Sequence, residues 1–250
     1  MTPSTYRSHP PLAAVIFDLG GTLIYPTTTQ EDNLAHLAQW LQARGLPPEL
    51  GPAVREARDW MWQKTAATGR QYTMQDAIRR AHAQLALSAP DTATVEAMEQ
   101  AFFEPELAGY RPFPESLALL RRLRAARIRT ACVSNASSDW LIAQIVDRMG
   151  FRVYLDPVIS SAGYGRVKPD PGIFRLVLGR WGVPAERAAM IGDTLSADIA
   201  GGRSVGMRTI YVTMTPNPEN VNHRHIVADV DALTLKDAER VLLRWAGSSP

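Results

Sequence analysis

The sequence predicts an α/β fold in which a doubly wound parallel sheet carries an inserted helical segment. From about residue 111 onward, apolar runs typical of strands alternate with amphipathic helices, which is characteristic of a parallel sheet covered on both faces. The stretch 25–110 shows helical periodicity and no strand-like alternation. We therefore expect residues 1–24 and 111–250 to form a Rossmann-like core and residues 25–110 to form a helical cap.

Composition narrows the class of protein. The chain has 250 residues, a formal net charge of +2 and one cysteine, Cys132, which excludes an intramolecular disulfide and fits a reducing compartment. The segment "MTPSTYRSHPPL" at residues 1–12 is too polar for a secretory signal, and no apolar run reaches membrane-spanning length. We expect a cytoplasmic protein that binds neither nucleic acid nor membranes. Monomer and homodimer both stay open.

The first strand is predicted over residues 13–17, where an unbroken apolar run indicates burial on both faces. In "VIFDLGGTLI", residues 15–24, this strand ends at the carboxylate of Asp18, and Gly20, Gly21 and Thr22 follow closely. A purely structural strand needs no acid at that point, and a simple turn needs only one glycine. The stretch therefore marks a candidate site.

The predicted cap begins at Thr29, which has Asp32 three residues later in the pattern of a capping box. Further helices are predicted from about residue 49 to 64, from Thr73 with Asp76 at the capping position, and from about Thr92. We interpret the aromatic and methionine positions of this segment as packing residues: Trp40, Trp60, Met61, Trp62 and Met74.

The second half of the chain alternates helices and strands. We expect helices at 117–126, 139–150, 171–183 and 197–205, and strands at 128–135, 153–161, 188–193 and 208–213. The polar stretch 215–225 is predicted to be a mobile surface loop. Its His223 and His225, the exposed arginines of the first of these helices (Arg121, Arg122, Arg124) and Cys132 inside its strand are all interpreted as structural.

Reactive side chains follow three of the predicted strands. Asp18 follows the first, Ser134 and Asn135 end the second, and Asp193 ends the fourth. The ends of parallel strands meet at one edge of a doubly wound sheet, where ligands bind. A carboxylate there can accept a phosphoryl group as a covalent intermediate, and such transfer needs Mg²⁺ and a cation to neutralise charge. Lys168, one of only three lysines in the chain, can supply that cation.

Four segments in order resemble the motifs of the haloacid dehalogenase superfamily, a large group of mostly Mg²⁺-dependent phosphatases. They are "FDLGGTL" at 17–23, "CVSN" at 132–135, "VKPD" at 167–170 and "IGDTLSADIAGG" at 191–202. The resemblance implies that Asp18 is the nucleophile and Lys168 the charge-balancing lysine. It implies phosphate binding by Thr22, Ser134 and Asn135, and a Mg²⁺ site formed by Asp18, the Gly20 carbonyl, Asp193 and Asp198.

One position departs from the family's pattern. Phosphatases of this family usually have an aspartate two residues after the nucleophile as general acid and base, and this chain has Gly20 there. Such assistance contributes about 10²–10⁴-fold to rate. We therefore predict hydrolysis of a small organic phosphate that is slow, uses an acid from elsewhere, or requires a good leaving group.

Three alternatives stay open. A 2-haloacid dehalogenase also lacks the second aspartate. It needs no metal, however, and this chain has both acids of the implied metal site, Asp193 and Asp198. A phosphonatase-type hydrolase needs a cap lysine for a Schiff base, and Lys64 is the only lysine of the predicted cap. A catalytically impaired member of the family could instead bind a ligand or a protein partner.

Overall fold

The computed structural model describes residues 10–247. The prediction of a polar, non-secretory N-terminus falls largely on residues 1–9, which lie outside the described residues. The strands are β1 (Ala14–Phe17), β2 (Ile24–Tyr25), β3 (Arg111–Pro112), β4 (Arg129–Ser134), β5 (Val158–Ser160), β6 (Ala188–Gly192), β7 (Arg208–Val212) and β8 (Val230–Ala232). The helices are α1 (Gln30–Ala43), α2 (Leu50–Thr68), α3 (Met74–Gln84), α4 (Thr92–Gly109), α5 (Ser116–Ala125), α6 (Asp139–Arg148), α7 (Ser161–Tyr164), α8 (Pro171–Trp181), α9 (Ala200–Ser204) and α10 (Leu235–Trp245).

Within the described residues, six strands form a parallel sheet in the order β5-β4-β1-β6-β7-β8. The predicted α/β fold is confirmed. β1 lies at the centre, with Phe17 aligned to Cys132 of β4 and to Ile191 of β6. Alternate residues of β1 pack into two different cores. Ala14 and Ile16 pack with α8, whereas Val15 and Phe17 pack with α5, α6 and α10. Burial on both faces explains why the strand reads as an unbroken apolar run.

The helices α1–α4 occupy the chain between β2 and β3, and we call residues 30–109 the helical insert. Thr29 and Thr73 each form a capping box with the aspartate three residues later, as the sequence predicts. The chain enters and leaves the insert through the short antiparallel pair β2–β3, which the sequence analysis missed because each strand has only two residues. Met61 and Met74 are buried packing residues, as expected.

The insert contacts the sheet-bearing part of the chain along several backbone hydrogen bonds. Gln71 N donates to the Gly165 carbonyl at 2.9 Å, and Val167 N donates to the Gly69 carbonyl at 3.1 Å. Met74 N donates to the Ser137 carbonyl at 2.8 Å. No helix within residues 10–247 combines the length and the apolar character needed to cross a bilayer.

Candidate active site

The candidate site lies at the carboxyl ends of β4, β1 and β6, which are neighbours in the sheet. Asp18 follows β1, Ser134 is the last residue of β4 and Asp193 follows β6. These three side chains line a cavity of about 530 Å³ together with Lys168 and Asp198. The structure therefore brings together the nucleophile candidate, the lysine and both predicted metal-site acids.

Lys168 is the electrostatic centre of this cluster. Its Nζ lies 2.6 Å from Asp18 Oδ1 and 2.7 Å from Asp198 Oδ1, and it donates to the Val133 carbonyl at 2.8 Å. Burial on its own lowers the pKa of Lys168, but the two carboxylates outweigh that effect, so its pKa lies above the usual value. The ammonium group stays charged and holds both carboxylates in place.

Two of the predicted phosphate-binding residues, Asn135 and Thr22, form hydrogen bonds with members of this cluster. Asn135 accepts from Lys168 N at 2.8 Å through its Oδ1 and donates from Nδ2 to the Lys168 carbonyl at 3.1 Å, so both ends of its amide position the lysine. Thr22 Oγ1 donates to Asp18 Oδ2 at 3.3 Å. Among the residues the structure describes, Thr22 is buried and does not line the cavity, whereas Ser134 and Asn135 do.

The three carboxylates at the strand ends are close enough to share one cation. Asp18, Asp193 and Asp198 each offer an oxygen within 4.8 Å of the others. Burial, followed by the charge of Asp18, raises the pKa of Asp193 to about 6. Burial also raises the pKa of Asp198 to about 7, although the Lys168 charge opposes this. Three acids facing a single ammonium group leave excess negative charge at the site.

This donor set fits a hard divalent cation. Mg²⁺ prefers oxygen ligands and binds through one or two carboxylates with water completing its shell. Burial is the main cause of the raised pKa values of Asp193 and Asp198, and a divalent cation bound there would favour their ionised forms.

The two glycines after Asp18 have different requirements. Gly21 has φ +71°, and a Cβ there would lie 2.3 Å from Asp193 Oδ2, so only glycine lets this carboxylate approach the turn. Gly20 is exposed, has no positive φ, and a Cβ there would meet nothing within 4 Å. The turn therefore explains Gly21, and the backbone does not require glycine at position 20.

The segment predicted as a mobile surface loop lies against the acidic cluster. Its residues Pro218–Asn222 form a 3-10 helix. Asn217 Nδ2 donates to Asp193 Oδ2 at 3.0 Å and to Thr194 Oγ1 at 2.9 Å. Asn220 Nδ2 donates to the Asp193 carbonyl at 2.8 Å. Sequence reasoning missed these contacts because an asparagine-rich loop far along the chain gives no signal of what it packs against.

The helical insert forms the other wall of the cavity with one stripe from each of two helices. On α2 the stripe is Arg58, Trp62 and Thr65; on α4 it is Phe103 and Glu106, continued by Tyr110 directly after the helix. Both stripes follow the spacing of a single helix face. Trp62 was expected to pack inside the insert, but it is 44% exposed and lines the cavity.

Glu106 is fixed by two hydrogen bonds. Its Oε2 accepts from Asn33 Nδ2 at 2.7 Å and its Oε1 accepts from the Tyr110 hydroxyl at 2.9 Å. Burial, and then the charge of Glu106, raises the pKa of Tyr110. This part of the cavity wall therefore carries an ordered carboxylate and a neutral phenol.

Two residues with reactive side chains, Cys132 and Lys64, do not line the cavity. Cys132 is fully buried within β4, and burial raises the pKa of its thiol, as expected for a core residue. Lys64 is exposed and, within residues 10–247, is not part of the cavity wall. A Schiff-base mechanism on Lys64 therefore has no structural support.

Comparison with known families identifies what this arrangement resembles. A family model for haloacid dehalogenase-like hydrolases matches residues 12–206. A phosphoglycolate phosphatase from Rhodospirillum rubrum is 29% identical over 246 residues, covering 94% of this chain and 90% of that protein. A ribulose-1,5-bisphosphate 5-phosphatase from Halopiger xanaduensis is 29% identical over 79% of this chain and 83% of its own length. A phosphoserine phosphatase from Thermus thermophilus is 33% identical, but the match spans only 49% of either chain.

Solved structures of other proteins share this fold. A 2-haloacid dehalogenase from Pseudomonas syringae superposes with a TM-score of 0.71 at 27% identity, over 94% of this chain and 100% of that one. A phosphatase from Thermococcus onnurineus superposes with a TM-score of 0.62 at 22% identity, over 92% of this chain and 98% of the other, which supports the fold alone.

Proposed function

Because the chain belongs to the haloacid dehalogenase-like hydrolases, we propose that it is a Mg²⁺-dependent phosphatase acting on a small organic phosphate through an aspartyl phosphate on Asp18. The observation that carries the proposal is the cluster of three carboxylates around the cavity, with Lys168 bridging two of them. A displacement at carbon by Asp18 alone needs no such cluster, whereas phosphoryl transfer needs charge neutralisation around the phosphate.

The proposed reaction has two steps. A carboxylate oxygen of Asp18 forms a bond to phosphorus while the bond between phosphorus and the leaving oxygen breaks. Water then attacks the acyl phosphate, which releases inorganic phosphate and restores the Asp18 carboxylate. Lys168 neutralises charge on the nucleophile and the phosphate, and Ser134 lies at the strand end where its hydroxyl can donate to a phosphate oxygen.

The remaining site residues support this arrangement. Asn135 holds the Lys168 backbone, and Thr22 donates to Asp18. Asp18, Asp193, Asp198 and the Gly20 carbonyl would hold Mg²⁺, which would supply positive charge to balance the transferring phosphoryl group.

The helical insert acts as the cap, and its cavity wall selects the substrate. Gly20 has no proton to give the leaving alcohol, so the ionisable groups left to assist lie elsewhere in the cavity wall, where Glu106 and Glu219 are carboxylates. The names of the relatives suggest phosphoglycolate, phosphoserine and ribulose bisphosphate as substrates to assay. We place the protein among soluble cytoplasmic enzymes that act on such metabolites.

A 2-haloacid dehalogenase is the second candidate. The specific observation in its favour is the similarity to the Pseudomonas syringae dehalogenase over nearly the whole chain, combined with glycine at position 20. That activity releases halide from a carbon atom and has no need of Mg²⁺. The two candidates therefore differ in both product and metal requirement.

The test measures both products in one set of assays. Phosphate release from p-nitrophenyl phosphate and from the three candidate substrates is followed with Mg²⁺ and with chelator, alongside chloride release from 2-chloropropionate. We expect Mg²⁺-dependent phosphate release that Asp18→Asn lowers by about 10³-fold or more, because an amide cannot form the acyl phosphate. Asp147→Asn, a substitution at an exposed acid, is the matched control. Metal-independent chloride release establishes the dehalogenase instead, and inactivity on every substrate favours a binding protein.

A further inference from the structure

The most unusual group in the cavity wall is the guanidinium of Arg58, on helix α2 of the insert. Only 6% of the residue is exposed, yet it lines the cavity shared with Asp18 and Lys168. Within residues 10–247, its Nε and Nη1 are both buried without a hydrogen-bond partner. Its Cζ lies 4.4 Å from the centre of the Phe102 ring, which is a cation–π contact.

An unpartnered buried cation is energetically costly, and proteins normally pair such groups. Burial lowers the pKa of Arg58, although the charge of Glu106 opposes this. Glu106 accepts from Asn33 and Tyr110 and makes no hydrogen bond with Nε or Nη1 of Arg58. By contrast Arg55, one turn earlier on α2, donates to Glu31 at 2.6 Å. Arg58 therefore has the features of a group whose acceptor is a ligand.

We infer that Arg58 binds a carboxylate of the substrate, within the same cavity in which the phosphate reacts at Asp18. The substrate class is then a short carboxylic acid with a phosphate ester on the same carbon skeleton. This inference rests on the proposed phosphatase function and adds the second recognition point. A planar guanidinium can bind a carboxylate through two parallel hydrogen bonds, which fixes the orientation of the molecule.

The charges around Arg58 favour a carboxylate over a second phosphate. The guanidinium brings one positive charge, and the nearby Glu106 brings one negative charge that Asn33 and Tyr110 hold in place. The pair is therefore neutral, and a carboxylate brings its net charge only to −1. A second phosphate adds up to two, and no further cation of the insert lines the cavity among the described residues.

The experiment compares phosphoglycolate with ethyl phosphate, which has the same number of carbons and no carboxylate. We expect wild-type kcat/KM to favour phosphoglycolate, and Arg58→Met to reduce that ratio by about 10- to 100-fold, mainly through KM. Arg55→Met removes one positive charge from the exposed face of the same helix and should leave the ratio unchanged. An unchanged ratio in Arg58→Met, or an equal fall in Arg55→Met, overturns the inference.

A binding measurement separates this inference from the phosphatase proposal. In the Asp18→Asn background, phosphoglycolate should raise Tm more than ethyl phosphate does, and adding Arg58→Met should remove the difference. Equal shifts by the two compounds overturn the carboxylate site even if both are hydrolysed. If neither is hydrolysed but the difference in Tm persists, the phosphatase proposal fails and the Arg58 site stands.

The melting temperature of the Arg58→Met protein distinguishes a ligand site from a structural role. If Arg58 serves the ligand, replacing an unpartnered buried cation with an apolar side chain of similar length should keep Tm or raise it. A fall in Tm of the size expected for a broken core contact assigns Arg58 to stability and overturns the inference.

Discussion

Gly20 and Gly21 are adjacent residues with different physical reasons for being glycine. Gly21 combines φ +71° with the approach of Asp193, so its lack of a side chain is a condition of the site geometry. At Gly20 neither condition applies: the backbone conformation is ordinary and the space around it is open. The backbone therefore does not account for the absence of an acid at position 20. A substitution there can test the effect of an acid on catalysis without backbone strain.

We predict that Gly20→Asp raises phosphate release from alkyl phosphates by about 10²-fold, because an alkoxide leaving group needs a proton. The gain for p-nitrophenyl phosphate should be smaller, since its leaving group departs without one. Steady-state rates on both classes of ester, measured together with Tm, give the result.

Gly20→Asn is the matched control for this substitution, because it adds the same volume and a polar group but cannot transfer the proton. An equal gain in Gly20→Asn attributes the effect to binding instead of acid catalysis. A stable Gly20→Asp protein with no gain on any ester contradicts the idea that the missing acid limits the rate, and it directs attention to Glu106 and Glu219 in the cavity wall.

At the scale of secondary structure, the junction after β6 presents both acids that we propose as metal ligands. β6 ends at Gly192, Asp193 follows, and a π-helical segment, Leu195–Ile199, carries Asp198 back over the strand end. Thr194 N donates to Asp198 Oδ2 at 3.0 Å. A Cβ at Gly192 would lie 2.2 Å from the Asp198 carboxyl carbon, so the strand must end in glycine for this carboxylate to reach Lys168.

Gly192→Ala is therefore expected to displace Asp198 and to weaken Mg²⁺ activation by at least about tenfold, with a loss of stability of about 1–3 kcal/mol from overpacking. Activity against Mg²⁺ concentration and Tm are the measurements. Gly179→Ala is the control: this glycine lies within α8, no atom would contact its Cβ, and alanine there should preserve or increase stability. Unchanged Mg²⁺ activation in Gly192→Ala contradicts the proposed packing of Asp198.

The features that could be predicted from the sequence are those that neighbouring residues determine. The capping boxes at Thr29 and Thr73, the buried β1 strand and the position of Asp18 at its end are determined by neighbouring residues, and the sequence predicts them. Asn217 and Arg58 were missed for the opposite reason. Their roles depend on distant partners: Asn217 contacts Asp193, and Arg58 is notable only because no partner reaches its Nε and Nη1 within the described chain.

At the scale of the whole molecule, the clustered acids of the candidate site oppose the stability of the fold when no cation is bound. The sheet brings Asp18, Asp193 and Asp198 together, and Lys168 balances only part of their charge. In the folded protein the pKa values of Asp193 and Asp198 are about 6 and about 7, whereas an unfolded chain has ordinary values near 3.8. Between pH 4 and 7 the folded state therefore binds more protons than the unfolded state, and its stability falls as pH rises.

We accordingly predict that the metal-free protein loses about 2 kcal/mol or more of stability from these two acids as the pH rises from 5 to 8, which corresponds to a fall in Tm of several degrees. Mg²⁺ bound to the ionised carboxylates would compete with protons, so it should raise Tm much more at pH 8 than at pH 5. Asp193→Asn should flatten the pH dependence and reduce the Mg²⁺ effect, since its amide neither titrates nor carries charge. Melting curves with Mg²⁺ and with chelator at both pH values decide the matter. An equal Mg²⁺ effect at pH 5 and pH 8, or an unaltered pH dependence in Asp193→Asn, would show that the ionisation of this cluster does not control the stability of the fold.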